Sequence, residues 1–222
     1  MRWNKTDIKR ISLSITNYCN AACPQCMRTN PLGLNKADWL PLVQWDFDTF
    51  KKAFPKKTLN KLDEIQFCGT WGDPLMLKDL YMMCDYIINE SQCNIEITTN
   101  GSIREEKDYW ELGVLCHERL RMWFDIDGID QKMHSHYRRG TKLKQVLNNM
   151  KTLSYTRSIP QAQTIIFKHN ENYVKEIEKL AMDYGALIWR GIKSDRFSSD
   201  SNTFNFIDEI GNNQILEKCQ SA

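Results

Sequence analysis

The sequence lacks the features that place a protein in a membrane or on nucleic acid. It has no run of about 18 apolar residues, the length that a membrane-spanning helix needs. Its formal charge is only +2 and its lysines and arginines are scattered, so it carries no strong nucleic-acid signal. Residues 1–7 contain no apolar stretch of the kind found in a signal peptide. We therefore expect a soluble, cytoplasmic protein that makes no membrane contact.

A disulfide framework is not indicated either, although the chain has eight cysteines. Such frameworks belong to short exported domains, whereas this chain has 222 residues and no export signal. Reduced thiols are therefore expected. Five thiols are dispersed, and we interpret them as ordinary core or surface side chains, with Cys84 and Cys116 in apolar helical patterns. These five are Cys68, Cys84, Cys93, Cys116 and Cys219.

The remaining three cysteines, Cys19, Cys23 and Cys26, follow directly on the alternating apolar and polar residues 10–16. Clustered thiolates at a strand end suit zinc or an iron–sulfur cluster. Structural zinc prefers four ligands, and neither a second cysteine pair nor a histidine cluster accompanies this one. A [4Fe–4S] cluster with three cysteine ligands leaves one iron open to a small molecule. At this point zinc, a cluster and three unligated thiols all remain possible.

Six strand–helix units follow one another along the chain. This order predicts an α/β fold with a parallel sheet, right-handed crossovers and helices outside. The strands are expected near residues 9–16, 63–67, 94–99, 121–126, 161–167 and 186–190. We expect a core over residues 1–192 and a C-terminal extension over residues 193–222. Within the extension, residues 194–205 are rich in Ser, Asp and Asn, and residues 206–218 form a short amphipathic segment.

Local signals mark the ends of two of the helices. Thr141 is predicted to cap the helix that precedes the fifth strand, and Asn172 the helix that follows it, which Gly185 ends. His134 and His136, two residues apart, are interpreted as loop structure rather than catalytic groups.

Unusual turns follow the second, third and fourth strands. In a parallel α/β fold these turns share one edge of the sheet, where function gathers. Each turn alone is an ordinary connection, but we expect them to meet the cysteine loop at that edge. The candidate binding residues are Gly69, Thr70, Gly72, Asp73 and Pro74 in the first turn, Thr98, Thr99 and Asn100 in the second, and Asp125 and Asp127 in the third.

The cysteine spacing Cx3Cx2C and the three turns, in this order, resemble the radical SAM superfamily. Residues 69–74 resemble the Gly-Gly-Glu-Pro segment that meets the amino group of S-adenosylmethionine. Residues 98–101 resemble the turn that lines the cofactor pocket, and residues 124–128 resemble the segment that approaches the ribose and carboxylate. The likeness covers residues 9–190 and is to a MoaA/SPASM-like core without the auxiliary-cluster cysteines.

Four positions depart from the pattern of that family. Trp71 stands where glycine is usual, and Asp73 stands where glutamate is usual. Gln25, before the third cysteine, replaces a frequent aromatic residue, and Asp125 replaces a frequent serine.

The resemblance implies a partial (β/α)6 TIM-like barrel with one [4Fe–4S] cluster on Cys19, Cys23 and Cys26. S-adenosylmethionine is the implied cofactor, and its reductive cleavage would yield a 5′-deoxyadenosyl radical that abstracts hydrogen from the substrate. No catalytic residue beyond the cluster and S-adenosylmethionine is implied. A flavodoxin or ferredoxin-type reductant is expected, and the substrate, peptide or nucleotide, is left open.

Two alternatives to this enzyme remain. The chain could be a zinc-stabilised binding module. It could also be a partner subunit that keeps a cluster but has lost its own turnover, an idea that the altered residues Trp71 and Asp73 motivate.

Overall fold

The computed structural model describes residues 8–220, and six parallel strands in one sheet form their centre. The strands lie in the order of the chain: β1 (Arg10–Leu13), β2 (Glu64–Phe67), β3 (Asn94–Thr99), β4 (Leu120–Asp125), β5 (Ile159–Ile166) and β6 (Ile188–Lys193). The predicted α/β class with parallel strands is confirmed. Because β1 and β6 are the two edges, the sheet does not close into a complete barrel.

Helices pack on one face of this sheet. They are α1 (Phe47–Ala53), α2 (Lys56–Leu59), α3 (Leu80–Glu90), α4 (Glu106–Cys116), α5 (Gln131–Tyr137), α6 (Leu143–Ser154) and α7 (Val174–Asp183). Alternate strand residues such as Ile65, Ile97 and Phe124 are fully buried against them. Within the described part of the chain, no helix is both long and apolar enough to cross a bilayer.

The opposite face of the sheet is polar. Successive side chains of a strand point to opposite faces, so the residues between the core positions share this second face. We call it the polar face; it carries Gln66, Cys68, Glu96, Thr98, Arg121, Trp123, Asp125, Gln163 and Arg190. This division of the sheet leaves one side free of helices.

The predicted Thr141 cap is wrong. Lys142 is the residue before α6, and the Thr141 hydroxyl instead donates to the Arg138 carbonyl at 2.7 Å and contacts His134 Nε2 at 2.9 Å. The expected loop around His134 and His136 is also wrong, because both lie on α5. The Asp130 carboxylate starts this helix by accepting from the Met133 amide at 2.8 Å.

The predicted Asn172 cap is wrong as well. A short 3₁₀ turn (Glu171–Tyr173) precedes α7, so Tyr173 takes the cap position and makes no side-chain capping bond. The predicted stop is confirmed, since Gly185 follows α7 with a φ of +92°.

The C-terminal extension forms an antiparallel hairpin of β7 (Thr203–Ile207) and β8 (Asn213–Glu217). Backbone hydrogen bonds tie it to two loops of the core. The Ile207 amide donates to Pro31 at 2.8 Å, and the Lys168 amide donates to Glu217 at 3.0 Å. A small apolar cluster fills the space beneath it, formed by Leu34, Tyr137, Phe167, Phe206 and Leu216 with Ala21 and Cys23. The hairpin thus packs on the core instead of trailing from it.

Two of the dispersed cysteines test this description of the core. Cys84 on α3 and Cys116 on α4 are buried, whereas Cys219 is only half-buried. We expect Cys84→Ala to lower the free energy of unfolding by about 1 kcal/mol, because it removes a packed thiol and its contact with the Cys116 thiol. Urea denaturation followed by circular dichroism measures this. Cys219→Ala is the control, and an equal loss in both variants would contradict the core assignment.

Candidate active site

A cavity of about 370 Å³ lies where the carboxyl ends of the strands meet the cysteine loop. It brings together most of the residues predicted from sequence: Cys19, Cys23, Cys26, Gly69, Thr70, Gly72, Asp73, Thr98, Thr99, Asn100 and Asp125. Pro74 does not line it, because this residue starts a buried 3₁₀ turn behind the loop. Asp127 does not line it either and is fully buried.

The cysteine loop is held by backbone turns that direct its thiols to the cavity. The Cys26 amide donates to the Cys23 carbonyl at 3.0 Å, and the Ala22 amide donates to Arg139 at 2.9 Å. Burial raises the pKa of Cys19 to about 12, and the nearby Asp73 carboxylate adds to this. Burial also raises the pKa of Cys23 to about 12, although Arg138 opposes the shift. Binding of a metal ion would favour the thiolate form of both residues against this effect of burial.

The donor set fits an iron–sulfur cluster. Three thiols line one cavity, and soft thiolates are the ligands that such clusters use. Across residues 8–220, no three His, Cys, Asp or Glu side chains lie close enough to share one metal ion. Zinc also accepts thiolate ligands, so the donor set by itself is compatible with either metal centre.

Asp73 joins the turn after β2 to the turn after β3. Its buried carboxylate accepts from the Thr99 hydroxyl at 2.9 Å, the Asn100 amide at 2.7 Å and the Leu75 amide at 3.0 Å. Burial raises the pKa of Asp73 to about 6, and these hydrogen bonds limit the rise. The carboxylate is therefore already supplied with protein donors and acts as the anchor of both turns.

Asn100 links the same turn to the cysteine loop. Its side-chain amide donates to Asn20 Oδ1 at 2.7 Å and lies 3.7 Å from Cys19 Sγ. Its Oδ1 accepts from the Ser102 amide at 2.9 Å, which fixes the orientation of the amide group.

Gly72 allows the turn after β2 to approach the cysteine loop. A Cβ atom at this position would lie 2.5 Å from the Thr16 carbonyl oxygen and 2.6 Å from that of Tyr18. Beside it, Trp71 packs edge-to-face against Trp39 with ring centroids 5.6 Å apart. The tryptophan at this unusual position thus packs against another residue of the chain.

Arg138 is a site residue that the sequence did not reveal. Its buried guanidinium donates to Asp125 at 2.9 Å and to Asp127 at 2.5 Å, and its Nη1 lies 3.9 Å from Cys23 Sγ. Burial raises the pKa of Asp127 to about 6, although Arg138 opposes this. Both aspartates therefore bind Arg138. Asp125 does so from the cavity wall, and Asp127 does so from a buried position outside the cavity. The available signal was the stretch 134–140, which resembles the lead into the fourth helix of the family but does not by itself assign a role to Arg138.

Gln25 joins the cysteine loop to the start of the extension. Its Oε1 accepts from the Ser194 hydroxyl at 2.8 Å, and its Nε2 donates to the Arg196 carbonyl at 3.1 Å. Arg196 Nη1 in turn donates to the Gln25 carbonyl at 3.0 Å. We call these contacts the Gln25 clasp. Residues 192–196 consequently form part of the cavity wall.

Comparisons with curated proteins find distant relatives. No family model matches the chain. It is 26% identical over 183 residues to a GTP 3′,8-cyclase of Clostridium botulinum, covering 80% of this chain and 54% of the cyclase. It is 28% identical over 186 residues to an uncharacterised protein of Methanocaldococcus jannaschii, covering 80% of this chain and 60% of that protein. The chain thus spans about half the length of the curated relatives it matches.

Solved structures share the fold. SuiB of Streptococcus suis, bound to its precursor peptide SuiA, superimposes with a TM-score of 0.64 at 13% identity, covering 83% of this chain and 39% of SuiB. The structure of anSMEcpe with bound AdoMet also gives a TM-score of 0.64 at 13% identity, covering 83% of this chain and 51% of anSMEcpe. This likeness of fold confirms the predicted partial TIM-like barrel.

The anchoring role of Asp73 can be tested by Asp73→Asn. An amide offers one acceptor oxygen instead of two, so at least one donor in the buried network loses its partner. Hydrogen bonds to charged groups contribute about 1.5–3 kcal/mol, so exchange of the Asn100 amide should become at least about tenfold faster. Hydrogen–deuterium exchange measures this. Asp79→Asn, which alters a carboxylate that accepts from Phe47 away from the cavity, should leave that amide unchanged.

The Gln25 clasp gives a second prediction. Gln25→Ala removes two side-chain hydrogen bonds, each contributing about 1 kcal/mol, so trypsin should cleave after Arg196 several-fold faster. The matched control is Gln145→Ala, which breaks side-chain contacts to a different loop, at Arg104 and Ser102. Equal cleavage rates in wild type and Gln25→Ala would show that the clasp does not hold the extension.

Proposed function

We propose that this chain is a member of the radical SAM superfamily and a radical S-adenosylmethionine enzyme, which holds a [4Fe–4S] cluster through Cys19, Cys23 and Cys26. The observation that carries the proposal is the meeting of these three thiols with the turns after β2, β3 and β4 around one cavity. When bound, the cluster and S-adenosylmethionine supply a 5′-deoxyadenosyl radical that takes a hydrogen atom from the substrate.

The residues of the chain bind and orient these groups. Asp73, Thr99 and Asn100 present one wall, with Gly69, Thr70 and Gly72 allowing close approach and Pro74 shaping the turn. Thr98 and Asp125 line the wall beside it. Arg138 contributes a guanidinium between Asp125 and Cys23, which Asp127 fixes in place. Residues 192–196 cover one side of the cavity and limit the access of water.

The proposal names the electron donor and the substrate only by chemical class. A flavodoxin or ferredoxin-type protein is the proposed reductant, since cleavage of S-adenosylmethionine consumes one electron. The name of one relative contains the nucleotide GTP, and one structural neighbour holds a precursor peptide. Both peptide and nucleotide substrates are therefore retained.

A second candidate is a partner subunit that holds the cluster but does not itself turn over. The anchoring of Asp73 favours it, because three protein groups already donate to the carboxylate at the position that meets the amino group in the family pattern. Formation of 5′-deoxyadenosine by the isolated chain would exclude this alternative.

Anaerobic reconstitution with iron and sulfide tests the assignment of ligands. We expect about four irons per chain and, after reduction with dithionite in the presence of S-adenosylmethionine, formation of 5′-deoxyadenosine. Alanine at Cys19, Cys23 or Cys26 should abolish both. Cys68→Ala is the matched control, because this thiol lines the same cavity outside the motif. Wild type that binds one zinc and no sulfide would contradict the proposal, and loss of the cluster from Cys68→Ala would contradict the ligand assignment.

A further inference from the structure

Three polar residues form a row across the carboxyl ends of β4, β5 and β6. Asp125 is paired in register with Gln163, and Gln163 is paired with Arg190. Residues in register on neighbouring parallel strands point to the same face, so all three lie on the polar face. Asp125 and Gln163 line the cavity. Ile192, two residues after Arg190 on β6 and hence on the same face, also lines it.

Hydrogen bonds fix the direction of this row. Asp125 Oδ1 accepts from Gln163 Nε2 at 2.7 Å. An ionised carboxylate only accepts, so the Gln163 amide must turn its nitrogen to Asp125 and its oxygen to the other side. That oxygen accepts from Arg190 at 3.1 Å from Nε and 2.7 Å from Nη2. Asp125 therefore orients Arg190 through Gln163.

Trp123 supports the same guanidinium from below. The Arg190 guanidinium carbon lies 3.9 Å from the centroid of the Trp123 ring, within the range of a cation–π contact. Trp123 itself is buried. A guanidinium held by an aromatic ring and by two hydrogen bonds to one amide oxygen loses little further freedom when it binds a ligand.

The charge of Arg190 is not balanced by these contacts, since both partners are neutral. Arg121, on the same face, differs: it forms ion pairs with Glu64 and with Glu96. Between residues 8 and 220, Arg190 forms no ion pair with a carboxylate, and its side chain is exposed. The polar face thus presents one fixed and uncompensated cation beside the cavity.

We propose that Arg190 recognises an anionic group of the substrate, a carboxylate or a phosphate, on the polar face of the sheet. This inference rests on the proposed function, since it assigns the substrate side of the same cavity. Gln163 occupies the Nε–Nη2 edge of the guanidinium, and the opposite edge, formed by Nη1 and Nη2, matches the paired oxygens of either anion. The inference also accounts for Asp125 at a position where serine is frequent in the family, because a serine hydroxyl can donate as well as accept and would not impose this orientation on Gln163.

The test is anion binding to the anaerobically reconstituted full chain, by isothermal titration calorimetry in low-chloride buffer. Inorganic pyrophosphate and succinate are the two probes, and they distinguish a phosphate from a carboxylate site. We expect wild type to bind at least one of them and Arg190→Gln to bind it at least about tenfold more weakly. Arg190→Lys keeps the charge without the fork and should fall between the two.

Arg157→Gln is the control, because it removes an exposed arginine that pairs with Glu118 away from the cavity. It should bind like wild type. Equal affinity in wild type and Arg190→Gln, or no binding of either probe to wild type, would overturn the inference. The iron content of the same samples is measured as well. Absence of iron from reconstituted wild type would contradict the proposed function. The affinities of wild type and Arg190→Gln, measured again without reconstitution, would still decide the role of Arg190.

Discussion

Buried charge governs how this site is built, because a carboxylate removed from water must receive hydrogen bonds or a cation. Asp73 obtains its donors from the turn after β3, and Asp125 and Asp127 obtain theirs from Arg138. To supply these donors, one segment of the chain packs against the carboxyl ends of the strands for Asp73, and another does so for Asp125 and Asp127. The cavity is the space left where these loops meet the cysteine loop, so its walls depend on the same few ionic contacts.

The positions that depart from the family pattern have partners inside the chain. Trp71 packs on Trp39, and Gln25 binds Ser194 and Arg196. Asp125 contacts both Arg138 and Gln163, and Asp73 is surrounded by donors. Each of the four residues that departs from the family pattern thus makes a specific contact within the chain. The departures therefore keep the loops around the cavity packed and hydrogen-bonded. Two of the four, Asp73 and Asp125, line the cavity itself.

The parts of this architecture that depend on local pattern could be predicted from the sequence. Strand positions followed from apolar alternation, and the shared edge of the turns followed from the rule for parallel sheets. The Thr141 cap failed because a hydroxyl has several available partners: Thr141 bonds to Arg138 and His134, which no local pattern indicates. The Asn172 cap failed because a 3₁₀ turn precedes α7. Arg138, Gln163 and Arg190 were missed because their partners come from other elements. The register of the sheet brings Gln163 to Arg190, and the end of α5 brings Arg138 to Asp125 and Asp127.

The position of Gln25 between two cysteines of the motif makes the loop and the extension thermodynamically linked. Any metal centre that stabilises this conformation of the loop also stabilises the docked extension, and the docked extension tightens metal binding by the same factor. A molecule without its metal then releases the segment after residue 194 more readily. Since proteases act on segments that open, the same linkage makes the susceptibility of this segment to cleavage depend on the state of the cysteine loop.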